Sequence, residues 1–110
     1  MVIVEKERTV DVVHFLTDRI NALNVESVRN AVIPLLEMQH SKVLIDLSGI
    51  NYIDSTGFAM FLHLLRTAKS NYSVFKICSL TSSIQKLFST LQLQTTFESY
   101  PDRDTCIKSF

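Results

Sequence analysis

At the point where an aliphatic run gives way to an apolar helical pattern, the chain places three side-chain oxygen functions in a row, Asp54, Ser55 and Thr56, followed by Gly57. In the plainest reading this is a helix start. Asp54 or Ser55 accepts a bond from a free helix N–H, Thr56 helps, and Gly57 lets the backbone pass close to a sheet. Capping needs only one such oxygen. The surplus hydroxyl sits at the positive end of a helix dipole, where a phosphate group is well accommodated. Beside the cap, a phosphate-dependent switch is the chemistry such a surplus could serve, with Asp54, Thr56 and Gly57 supporting the site.

Other chemistries lack their residues. With only two glycines, Gly49 and Gly57, the chain can write neither G-x-G-x-x-G nor G-x-x-x-x-G-K-[ST], so the usual backbone cradles for dinucleotides and triphosphates are missing. His14, His40, His63, Cys78 and Cys106 do not approach C-x-x-C or H-x-x-x-H spacing and read as packed or solvated side chains. Ser55 is followed by Gly57 but preceded by Ile53, which breaks the G-x-S-x-G nucleophile elbow. No metal, cofactor or catalytic residue is assigned, and the expectation is a protein that is not an enzyme.

Composition narrows the partners. Eleven Lys and Arg balance eleven Asp and Glu, without the basic excess of a general nucleic-acid or anionic-membrane binder. The longest apolar stretch, Phe58 to Leu65, is interrupted by His63 and is far shorter than the roughly 20 residues that span a bilayer. Charges arrive at Glu5 and Lys6, so no secretory h-region is present, and a cytoplasmic location with two reduced, packed cysteines is expected. At 110 residues the chain is expected to be a single domain over 1–110.

The elements that would position the serine follow from periodicity. Residues 2–5 and 9–17 read as strands of an antiparallel hairpin. Val25, Val28, Val32, Leu35 and Leu36 recur at helical spacing after Asn24, a plausible N-cap, and Pro34 inside that pattern predicts a kink or shifted boundary. Val43 to Leu47 reads as a strand buried on both faces. A helix follows Ser55 and ends near Ser70 and Asn71; a strand spans Val74 to Cys78; a third helix follows Thr81-Ser82-Ser83. A brief strand is expected around Thr95 to Phe97, and a last helix opens at Pro101 with Cys106, Ile107 and Phe110 on one face. Strands alternating with helices require right-handed crossovers. The fold class is thus α/β: one small mixed sheet, mostly parallel, with an N-terminal antiparallel hairpin and about four helices.

The segment VLIDLSGINYIDSTGFAMFLHLLRTAK resembles the central signature of the STAS-domain family, the bacterial anti-sigma factor antagonists. The downstream ICSLTSSIQKLFSTLQLQTTFESY is similar to that family's next strand, third helix and closing strand, so the resemblance covers roughly residues 2–110. It implies a STAS-like fold and a phosphoprotein of partner switching in transcription regulation. In that family the serine after the Asp is phosphorylated by an anti-sigma factor that is also a serine-protein kinase. Only the unphosphorylated antagonist binds that partner and releases the sigma factor. Carried over, Ser55 is the acceptor and Asp54 its neighbour. The loop Asp18-Arg19-Ile20-Asn21 departs from the family's Gly and acidic turn, and Asn21 stands where an acidic partner contact is common. Phe58 replaces the usual smaller aliphatic residue after the glycine. The alternative within the same resemblance is a STAS adaptor subunit of a transport assembly, of the lipid-transport ATPase type, without a phospho-switch.

A helical wheel adds one expectation. If Phe58, Phe61, Leu62 and Leu65 face the sheet, Met60 and Leu64 lie opposite, either covered by a neighbouring helix or forming an adaptable docking patch beside Ser55. The partner-binding set is accordingly Asn21, Asp54, Ser55, Met60 and Leu64.

Overall fold

The computed structural model describes residues 2–110. Strands β1 (Val2–Glu7) and β2 (Val10–Phe15) form the expected antiparallel hairpin, with Val4 opposite Val13. Helix α1 (Val25–Glu37) then crosses over to β4 (Lys42–Asp46), which pairs parallel with β2. Helix α2 (Ser55–Ser70) returns the chain to β6 (Val74–Cys78), parallel to β4, and α3 (Ser82–Thr90) leads to β7 (Ser99–Tyr100). The main sheet has the order β1-β2-β4-β6-β7, and α4 (Arg103–Ser109) closes the chain.

Alternation along the strands divides the interior in two. Val13, Val43, Ile45, Phe75 and Ile77 point into a large core shared with α1, α2 and α3. Val10, Val12, Leu44 and Cys78 point the other way, into a smaller cluster closed by Cys106 and Ile107 of α4. That explains why β4 lacks alternation: both of its faces are covered. Arg103 fastens α4 to the sheet by donating to Asp46 Oδ2 at 3.0 and 3.1 Å.

Two expectations need correction, and two are made more precise. The strand expected at Thr95 to Phe97 lies later, at Ser99–Tyr100, because Phe97 is buried as a core plug packed edge-on against Phe61 and Phe75. The preceding residues instead form a turn closed by Thr96 N–H to the Leu93 carbonyl. Helix α1 runs through Pro34 to Glu37; Pro34 and Asn30, whose carbonyl loses its donor, both belong to the solvent-exposed side. Asn24 occupies the N-cap position of α1 but makes no side-chain cap bond.

The second correction concerns α2. Its buried stripe is Gly57, Met60, Phe61, Leu64 and Ala68 together with Phe58, whereas Leu62 and Leu65 are only partly buried. Met60 and Leu64 are fully buried at 0% exposure, within the main core. The helix packs against α1 as well as the sheet, so an apolar arc wider than one stripe is covered. Neither residue is available as a docking surface.

Candidate functional site

The site begins with two short strands that the sequence reading treats as loop. Strand β3 (Arg19–Ile20) pairs parallel with β5 (Tyr52–Ile53), forming a two-stranded sheet beside the start of α2. Ile20 and Ile53 are buried beneath it. A β-carbon at position 57 would lie 2.5 Å from Ile53 Cγ2 and 3.2 Å from Ile20 Cγ2. Only glycine lets the first turn of α2 settle this close, which sets where Ser55 stands.

Asp54 is the N-cap of α2, and its carboxylate is divided between two segments. Oδ1 accepts from the Thr56 hydroxyl and from Gly57 N–H at 3.0 Å, closing the helix start. Oδ2 accepts from Ala22 N–H at 3.1 Å, thirty-two residues upstream. The Asp54 N–H in turn donates to the Ile20 carbonyl at 3.1 Å. The Thr56 hydroxyl bond, together with the backbone N–H donors, outweighs the opposing effect of desolvation and holds the Asp54 carboxyl below the usual carboxylate range. It is an anion at neutral pH.

Ser55 is the first residue of α2 and is exposed. Thr56 is exposed as well, but its hydroxyl is committed to Asp54. The two neighbouring hydroxyls therefore differ: one braces the cap and the other faces solvent.

Asn21 belongs to the connection between β3 and α1, which the structure brings against the α2 start through Ala22. Its side chain is turned into the loop, where Oδ1 accepts from Leu23 N–H at 3.0 Å. Asn24 completes the clasp, accepting from Asn21 N–H through Oδ1 and donating through Nδ2 to the Arg19 carbonyl, both at 2.9 Å. This is why Asn24, at the N-cap position, makes no side-chain cap bond to α1: its side chain is spent on the loop. Leu23 projects from the tip at 94% exposure. Sequence reasoning missed Leu23 and Tyr52, both exposed apolar side chains beside the site, because a lone Leu or Tyr in a sequence carries no sign of which way it faces.

On the β5 side, Tyr52 and Asn51 form one wall of a groove of about 420 Å³ whose other wall is α3, with Ser82, Lys86 and Leu87. Thr81 caps α3 by accepting from Ile84 N–H and ties it to the site by donating to the Ile50 carbonyl at 2.8 Å. Cys78 and Cys106 are free and buried, and burial pushes their thiols up to about 11 and about 12. Among the described residues no group of three or more His, Cys, Asp or Glu is placed to hold a metal ion. No helix among them is long and apolar enough to cross a membrane.

A five-stranded mixed sheet with this crossover order, capped by a D-S-T-G helix start, defines the class of protein. The STAS-domain family model matches residues 1–106, and the chain belongs to that family. Solved structures agree on the fold. An anti-sigma-factor antagonist (STAS) domain protein from Planctomyces limnophilus is 20% identical with a TM-score of 0.89, over 98% of this chain and 96% of that one. The Bacillus cell fate determinant SpoIIAA in its phosphorylated form is 13% identical with a TM-score of 0.72, over 100% of both chains. Murine Slc26a9, an anion transporter, is 16% identical with a TM-score of 0.72, over 94% of this chain but only 18% of the transporter. At such identities the likeness is one of fold.

Proposed function

We propose that this chain is a single STAS domain acting as a phosphorylation-controlled anti-sigma factor antagonist in the cytoplasm, a non-enzymatic binding protein. In its unmodified form it binds an anti-sigma factor that is also a serine-protein kinase, and so releases the sigma factor. The partner transfers the γ-phosphoryl group of ATP to Ser55 Oγ, with loss of the hydroxyl proton and release of ADP, and the modified form no longer binds. The carrying observation is the division of labour at the α2 start. Ser55 is exposed at the first helical position, while the adjacent Asp54 and Thr56 are occupied with each other. A STAS protein of the same fold exists in a phosphorylated form, which supports the reading.

Gly57 belongs to the site as the residue that seats the helix, and the loop of Asn21 adjoins it as a second part of the partner surface. The test is incubation with candidate anti-sigma factor kinases and ATP, with phosphate localised by fragment mass spectrometry and binding measured before and after. Stoichiometric phosphate on Ser55 together with loss of binding is expected. Phosphate on Thr56 in a protein that still carries Ser55, or binding indifferent to the modification, overturns the reading.

The alternative is an adaptor role in a transport assembly, favoured by the likeness to a part of an anion transporter. In that role replacing Ser55 by Ala would leave function unchanged, whereas in a switch it locks the bound state.

A further inference from the structure

We propose that Asp54 is a positioning residue that couples the state of Ser55 to the loop carrying Leu23, and that a phosphoryl group on Ser55 releases this loop. The inference deepens the reading of Ser55 as a modified serine and rests on it for its meaning in the cell.

The coupling is visible as a single carboxylate shared between two segments. One oxygen closes the α2 start at Thr56 and Gly57; the other holds Ala22 N–H, the residue before Leu23. The loop has internal clasps from Asn21 and Asn24, and these fix its shape. Below the loop, β3 is joined to β5 and the Ile20 carbonyl receives Asp54 N–H. At the tip, the Asp54 bond to Ala22 is what spans from loop to helix. Ordering an almost fully exposed leucine costs conformational entropy and gains no burial within this chain. Such preorganisation is useful to a surface that must meet an apolar partner pocket.

The basic groups around the loop are already paired. Asp18 and Arg19 bind each other at 2.9 Å, Glu26 pairs with Arg29, and both oxygens of the anionic Asp54 carboxylate are hydrogen-bonded. Among the described residues the loop thus presents no unpaired basic side chain beside Leu23, Tyr52 and Ser55, which fits a protein surface rather than a lipid headgroup or nucleic acid.

A phosphoserine brings about −1.5 to −2 charges and three strong acceptor oxygens to the position next to Asp54. It repels the Asp54 carboxylate and competes for the N–H groups at the helix start, which Asp54 now holds. The bond at risk is the one to Ala22, a single exposed contact, whereas the helix side has two donors and the packed Gly57.

The test needs neither kinase nor partner. Phosphoserine is incorporated at position 55 of the full chain during synthesis, and backbone amide solvent exchange is measured by NMR alongside the unmodified protein and Asp54→Asn. Asparagine remains a good N-cap but has one acceptor oxygen, so it can serve the helix side or the loop side, not both. Expected is faster exchange of the Ala22 amide, by about tenfold or more, in both the phosphoserine protein and Asp54→Asn, with the Gly57 amide of Asp54→Asn still protected. An Ala22 amide equally fast in the unmodified protein and in Asp54→Asn overturns the tie. An Ala22 amide slowed by Asp54 but untouched by phosphoserine overturns the release. A serine never phosphorylated in the cell would sink the functional reading and leave this coupling standing, and the reverse also holds.

Discussion

Gly57 lies against Ile53 with no room for a side chain: a β-carbon on the glycine would come within 2.5 Å of Ile53 Cγ2. Ile53 is buried at 2% exposure and held in a parallel pair with Ile20, so it cannot swing aside. Gly57→Ala is expected to lose about 1–3 kcal/mol of stability by overpacking, despite alanine's better helix propensity. Chemical denaturation measures this. A gain in stability would mean that the β3–β5 sheet yields.

Met60 and Leu64 test the rotation of α2. Both are fully buried, so Leu64→Ala should cost about 2–5 kcal/mol through a cavity, and Met60→Asp should prevent folding by burying an unpaired charge. Circular dichroism and urea unfolding decide between this and an exposed docking patch, for which both variants would remain as stable as the parent.

Acid should loosen α4 through Asp46. Burial opposes its charge, but bonds from Ser48 and Arg103 outweigh that and hold the carboxyl below its ordinary value. A carboxyl depressed in the folded state contributes stability above its unfolded pKa of about 4, and loses it as pH falls through the lower folded value. The expected outcome is a fall in stability below about pH 4 that is smaller in Asp46→Asn than in the parent. At neutral pH that variant should already be weaker, by on the order of 2 kcal/mol, because Arg103 loses its most buried partner. Unfolding midpoints across pH values check both halves.

Phosphate on Ser55 should act locally. The fold tolerates an anion at a helix N-terminus, so shift changes should be confined to the α2 start and the Asn21 loop, without spreading over the main sheet. At a partner surface the added charge is costly: a unit pair at about 4 Å with an effective dielectric near 20 amounts to on the order of 4 kcal/mol, or roughly 10³-fold in affinity. Ser55→Ala should bind the partner constitutively. Ser55→Asp, with one charge and fewer acceptors, should mimic release only in part. Equal affinities for all three forms, measured by calorimetry, would contradict a switch.

The main elements were legible in the sequence because their signals are local. The hairpin, the doubly buried Val43 to Leu47 run, the helical spacing after Asn24 and the D-S-T-G cap all follow from period and capping chemistry, and together with the order of elements they imply the mixed sheet. The place of Ser55 at a helix start was readable for the same reason, since a surplus hydroxyl there is a feature of consecutive residues. Tertiary structure alone decided the rest. Two-residue strands such as β3 and β5 have too few residues to show a period, and they exist because Ile20 and Ile53 find each other across the fold. The rotation of α2 depended on α1 covering a second side, which buries Met60 and Leu64. The division of the Asp54 carboxylate between Gly57 and Ala22 joins residues far apart in the chain. Periodicity reports which residues share a face, but only packing decides what that face meets.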